Sequence, residues 1–262
     1  MTLPLDRHPR FVYNQNMNAH RKARNIEHCI DAAVSRIAAA IGEPARARIL
    51  LCLMDGRART STELAVVAEV SPPTASAHLK RLKFEQLIQV QINGKHRLYQ
   101  LQGRSVASAL EALSVLAPSS RGKFVVRPTN PLRAARTCYD HMAGLLGVSL
   151  HDRLRAMSWL STRKPSAGNQ DSATLYDLTP SGTVALEALG IDIEAVRALR
   201  RRFACACLDW SERRPHLGGA LGAALLSMAL RRKWVEPDLD SRVLGITRLG
   251  RREMLARFGL QV

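Results

Sequence analysis

The chain is short of aromatic residues, of acids and of long apolar runs. Phe, Trp and Tyr make up 5% of its 262 residues. The longest apolar stretch, Leu217 to Leu230, is 14 residues, too short to span a bilayer. The N-terminal stretch Met1 to Arg10 is polar and lacks the apolar centre of a secretory signal. The five cysteines (Cys29, Cys52, Cys138, Cys205 and Cys207) are odd in number and form no close-set framework. Reduced thiols in a cytoplasmic protein, with no membrane partner, are therefore expected. Acids number 22 against 39 bases, a formal charge of +17.

What is present is a 46% hydrophobic content, enough for one large core or two ordinary ones. That content excludes a disordered basic tail. The basic excess favours a polyanion such as nucleic acid, a generally basic solvated surface being the plainer alternative. It is densest over residues 44–104, which carry ten bases and four acids.

Apolar spacing predicts a helix over 17–41, with Ile26, Ile30, Val34 and Ile37 on one face and Gly42 ending it. A second helix is expected over Pro44–Met54, and a third, capped by Ser61 or Thr62, through Ala68. After a turn at Val70-Ser71, Pro72 and Pro73 suit the first turn of a helix running to about Leu87. Ala75, Leu79, Leu82 and Gln86 form its inward face. Ile88–Ile92 and His96–Leu101 read as strands joined through Asn93-Gly94, a hairpin signal. A final helix is expected over Val106–Leu116, able to close a dimer with the first. This order is that of a winged helix–turn–helix. Ser71, Thr74, Ser76 and Ala77 then stand where a helix start meets the major groove, with His78, Lys80 and Arg81 placed for phosphates. Lys95, His96 and Arg97 flank the wing tip. His78 and His96 read equally well as solvated residues.

Residues 41–101 resemble the winged-helix domain of the ArsR/SmtB family of bacterial regulators. The stretches carrying the likeness are Ile41–Leu50, Glu63–Ala65, Ser71–Leu82 and Gly94–Tyr99. The resemblance implies a homodimer that represses from a palindromic double-stranded DNA operator and leaves when an effector binds. It does not supply a known metal site. Ala65 and Val67 stand where thiol-based sensors carry a Cys-x-Cys pair, and the helix 106–116 lacks the Asp and His of zinc sensors.

Residues 118–131 read as a linker between a first domain, 1–117, and a second, 132–262. The second domain resembles itself. His141–Val148 aligns with His216–Ala223, Trp159 with Trp234, and Leu175–Gly182 with Val243–Gly250. Upstream, Cys138-Tyr-Asp140 resembles Cys207-Leu-Asp209. The unit is read as helix, Trp, loop, strand, Thr-x-x-Gly, helix, half of a winged helix. Two such units are expected to pack about a pseudo-two-fold axis. The fold class is therefore mostly α with short β-hairpins: a winged helix plus a helical domain of two repeats. Residues 161–172 are expected to form a loop.

Cys138 and His141, three apart, are expected on one helical face. With Cys207 and His216 they form a candidate site for a metal, metalloid or oxidant effector, since thiolate and imidazole suit soft metals. Buried thiols beside helix-start histidines are the structural alternative. No cofactor is implied beyond such an effector. No phosphate-cradling glycine loop or Gly-x-Ser-x-Gly elbow points to an enzyme. An architectural DNA-binding protein and an enzyme fused to a winged helix stay open as alternatives.

Overall fold

The computed structural model describes residues 30–93, 96–116, 131–163, 174–239 and 241–261. Lys95, Cys29, the first part of the 17–41 helix and nearly all of the 118–131 linker lie outside the described residues.

The first half follows the expected order. Helix α1 covers residues 30–41, ahead of α2 (Pro44–Cys52). Glu43 caps α2 by accepting from the N–H groups of Ala45 and Arg46. Strand β1 (Arg59–Thr60) leads into α3 (Ser61–Ala68). The cap of α3 is Thr60, one residue before the expected position, in a reciprocal capping box with Glu63. Glu69, in a left-handed conformation (φ 56°), turns the chain toward α4 (Pro72–Phe84), whose cap is Ser71. Helix α4 stops before Leu87, and Gln86 is exposed rather than inward. Strands β2 (Ile88–Asn93) and β3 (His96–Leu101) form the wing, with β1 added beside β3. Helix α5 (Arg104–Leu116) closes this half. Ile49, Leu50, Leu53, Leu64, Leu79 and Leu82 form its core.

The second half departs from the expected outline at the start of each repeat. Cys138 and His141 are not on a helical face. They lie on β4 (Arg136–Cys138) and β5 (His141–Ala143), directly opposite each other across a hairpin. Tyr139, at φ 58°, turns the chain between them. After a one-turn helix α6 (Pro131–Ala134) and this hairpin come α7 (Gly144–Ala156), β6 (Leu160–Thr162), β7 (Leu175–Leu178) and α8 (Pro180–Ala188). A connecting helix α9 (Ile193–Ala198) leads to the second unit. There β8 (Ala204–Leu208) and β9 (Pro215–Gly218) precede α10 (Gly219–Arg231), β10 (Val235–Pro237), β11 (Leu244–Ile246) and α11 (Arg248–Phe258). The repeated unit is hairpin, helix, hairpin, helix.

The two units interlock. In the sheet β6-β7-β8-β9 the second hairpin of unit one joins the first hairpin of unit two. Conversely, Arg136 of β4 bridges Val243, and Leu244 N–H donates to the Ala135 carbonyl, joining unit one's first hairpin to unit two's second. A single core results, with Leu154, Leu186, Leu221, Leu225, Trp234 and Phe258 buried. Through this reciprocal exchange the two units share one core. Glycine makes the close approach possible at equivalent places. A Cβ on Gly147 would stand 2.4 Å from the Met142 carbonyl oxygen, and one on Gly222 2.3 Å from that of Leu217. Gly147 and Gly222 therefore seat α7 and α10 on backbone next to His216 and His141.

The halves are joined by side chains. Buried Arg242 pairs with Glu111 of α5 at 2.9 Å, and Arg57 donates to the carbonyls of Asp238 and Ser241. Among the described residues no helix is long and apolar enough to cross a membrane.

Candidate metal centre and nucleic-acid interface

The β4–β5 and β8–β9 hairpins carry the same cross-strand pair. Cys138 faces His141 in one, and Cys207 faces His216 in the other. The exchange of hairpins brings the two pairs together, so that one donor atom from each of the four residues lies within 4.8 Å of the others. The sulfurs of Cys138 and Cys207 are 3.9 Å apart. The imidazoles stack with centroids 5.0 Å apart.

Each imidazole is backed by the carboxylate that recurs in the repeat. His141 Nδ1 lies 3.2 Å from Asp140 Oδ1, and His216 Nδ1 lies 3.6 Å from Asp209 Oδ2, an ion-pair rather than a hydrogen-bond distance. The Nε2 atoms of both histidines are buried without a hydrogen-bond partner among the described residues. A carboxylate behind one ring nitrogen and a buried, unpartnered second nitrogen is how a ligating histidine is oriented. His141 has this arrangement, while neither nitrogen of His216 is hydrogen-bonded among the described residues. Two thiols and two imidazoles are donors that suit zinc and other soft metals.

Without a ligand the electrostatics favour the deprotonated form at Cys207 and the protonated forms of Cys138 and His141. Burial disfavours a charged His141, but Asp140 and the Cys207 thiolate outweigh it and raise its pKa to about 9. The hydrogen bond from Cys138 draws Cys207 far below the ordinary thiol range, against its burial, and both imidazoles add to that. The same contact, with burial, pushes Cys138 up. Asp209 is fully buried against fully buried Arg136 at 2.9 Å. That pairing overcomes burial and holds its carboxyl well below the usual range, helped by the Gly144 N–H at the start of α7.

Asp140 also faces the winged helix. Its Oδ2 accepts from Arg201 at 2.8 Å and from Arg104, the first residue of α5. A cavity of about 670 Å³ lies between α5 and the two hairpins, lined by Cys138, His141 and Cys207 on one side. Cys205 lines it too. Sequence reading left Cys205, Asp140 and Arg104 out of the site. The spacing of Cys205 to Cys207 puts both on one face of a strand, and the recurrence of Asp beside Cys marked Asp140 and Asp209.

The DNA-binding candidates occupy α4 and the wing. Ser71, Thr74, Ser76, Ala77, Lys80 and Arg81 are exposed, and Arg97 is exposed on β3. Ser76 donates its hydroxyl proton to the Pro72 carbonyl, and Arg81 pairs with Glu85 at 2.9 Å. His78 is turned inward instead. Its Nδ1 is 3.4 Å from Arg46 and its Nε2 3.7 Å from Glu43, so it buttresses the start of α2. His96 begins β3.

Residues 41–83 match the family model described as a helix-turn-helix domain. The chain is 38% identical over 220 residues to YdfF of Bacillus subtilis strain 168, an uncharacterized HTH-type transcriptional regulator, covering 83% of this chain and 93% of YdfF. The solution structure of the homodimeric winged helix-turn-helix domain of Mycobacterium bovis Mb0332, a possible ArsR-family regulator, is 26% identical with a TM-score of 0.32. That match covers 34% of this chain and 82% of that one. The transcriptional repressor BigR of Xylella fastidiosa is 20% identical with a TM-score of 0.32, covering 37% and 98%. With helix-turn-helix geometry over α3 and α4, and a relative matched along most of both chains, this protein belongs to the HTH-type transcriptional regulators.

Proposed function

We propose that the protein is a dimeric, cytoplasmic repressor of a palindromic operator, released when a thiophilic metal or metalloid binds Cys138, His141, Cys207 and His216. In this reading residues 1–117 bind DNA and dimerise, 118–131 link, and 132–262 sense rather than catalyse. The convergence of four soft donors from two repeats carries the proposal. Thr74, Ser76 and Ala77 at the start of α4 read bases. Lys80, Arg81, Lys95, His96 and Arg97 meet the backbone. Dimerisation is supported by exposed Ile30 and Val34 on α1 and Leu113 and Leu116 on α5, apolar pairs at helical spacing on the two helices that flank the domain.

Coupling runs through Asp140. A ligand on His141 Nε2 acts on a ring whose Nδ1 is held by Asp140, and Asp140 holds Arg104 of α5. Native mass spectrometry with Zn²⁺ or arsenite tests the centre. One ion per chain is expected for the wild type and none for Cys138→Ser/Cys207→Ser. Equal stoichiometry in both would overturn the assignment. Footprinting tests the regulator: protection of one palindrome is expected, and uniform coating would favour an architectural protein.

A further inference from the structure

The centre is open on one side. His216 is completely buried behind it, but Cys138, His141 and Cys207 all line the cavity of about 670 Å³. A bare ion enclosed by four donors fills little more than its own sphere and needs no such space. The volume falls in the class of small-molecule sites, about 300–1,000 Å³. Its walls beyond the thiols are largely apolar, with Ala107, Ala112 and Val115 from α5 and Ala206 and Leu208 from β8. Arg104, Arg201 and Arg202 stand at its rim, the first two sharing the Asp140 carboxylate, while the walls beside the thiols are apolar.

From this geometry we infer that the effector is a thiophilic element carrying an organic substituent, such as a trivalent organoarsenical. The two thiols take the element and the cavity takes the substituent. This rests on reading the centre as an effector site. With an arsenic(III) oxide bearing one phenyl group, two As–S bonds form, to Cys138 and Cys207, as the As–O bond breaks. The oxygen leaves as water with two protons of the centre, those shared among Cys138, Cys207 and His141, the As–C bond is kept, and arsenic stays trivalent. Sulfurs 3.9 Å apart are close enough for one atom to bridge. The substituent then lies against α5, so its size is felt by the helix that closes the winged-helix half.

The test compares phenylarsine oxide with arsenite on the full chain by native mass spectrometry and competition. Ala112→Phe and, separately, Ser108→Phe fill the cavity from the exposed side of α5, away from the winged-helix core. The wild type is expected to take one phenylarsenic per chain and to prefer it over arsenite at least tenfold. Both variants are expected to lose that preference at least tenfold and to keep arsenite binding. If the variants bind phenylarsine oxide as the wild type does, or the wild type shows no preference, the cavity inference is overturned while the centre stands. If neither compound binds, both readings fail.

Discussion

Replacing Arg242 with Met should destabilise the protein by on the order of 3–5 kcal/mol, the cost of stranding one member of a buried ion pair. The Arg242 side chain is 6% exposed and its partner Glu111 5%. Its Nη1 lies 2.9 Å from Glu111 Oε1 and near the Thr137 carbonyl and the Met54 sulfur. Met keeps the aliphatic bulk but leaves the Glu111 carboxylate buried, and Glu111 Oε2 already has no hydrogen-bond partner among the described residues. Adding Glu111→Leu removes the stranded charge, so the double variant should recover most of the loss. The pair joins α5 to the loop before β11, so its loss should also weaken the coupling of the halves. All three tryptophans (Trp159, Trp210 and Trp234) lie in the second half. Urea unfolding followed by fluorescence therefore reports that half alone, and circular dichroism reports both. The wild type should give coincident transitions and Arg242→Met separated ones. A loss below about 1 kcal/mol, the range of an exposed pair, would refute the reasoning. So would a double variant no more stable than the single one.

Three further outcomes follow from the same geometry. Thr74→Ala/Ser76→Ala should lower preference for the operator more than affinity for random DNA, whereas Arg97→Ala should weaken both about equally and flatten the salt dependence, as read by anisotropy titration at several salt concentrations. Gly222→Ala puts a Cβ 2.3 Å from the Leu217 carbonyl oxygen and 3.1 Å from His141 Cβ. Backbone must move, so thermal melting should show a loss of about 1–3 kcal/mol together with weaker zinc binding. The Asp55 carboxyl is buried, which opposes its charge, but bonds from Arg59 and Arg57 hold it below the ordinary carboxylate range. Its contribution is present above the unfolded value of about 3.9 and is lost as pH falls through the folded value, so Asp55→Asn should flatten the acid limb of the stability–pH curve. An unchanged slope would show that the Asp55–Arg59 pair does not stabilise the fold.

The winged helix was legible because its signals are local. Gly42 follows α1, Pro44 opens α2, Pro72 opens α4, and the strand-like runs Ile88–Ile92 and His96–Leu101 flank Asn93-Gly94 in the sequence. The inward turn of His78 was not legible because its partners, Glu43 and Arg46, come from another stretch of the chain. The first hairpin of each repeat was not legible. Strands β4 and β5 are three residues long and buried at every position, so no alternation of polar and apolar residues exposes them. Gly144 and Gly219, at φ 75° and 86°, let the chain pass directly from strand to helix, and the apolar run reads as helix throughout. The approach of Cys138, His141, Cys207 and His216 to one another was nevertheless readable from the repeat. The Cys–His pair recurs in both units, across the first hairpin of each, and the exchange of hairpins brings the two pairs together.

A thiophilic ligand at Cys138, His141, Cys207 and His216 should loosen the grip on DNA. Fluorescence anisotropy on a duplex selected by the protein from a random pool tests it directly, with arsenite titrated into the wild type and into Cys138→Ser/Cys207→Ser. At least a tenfold rise in the Kd for DNA is expected in the wild type and no change in the double variant. Equal weakening of both, or none in the wild type, would contradict it.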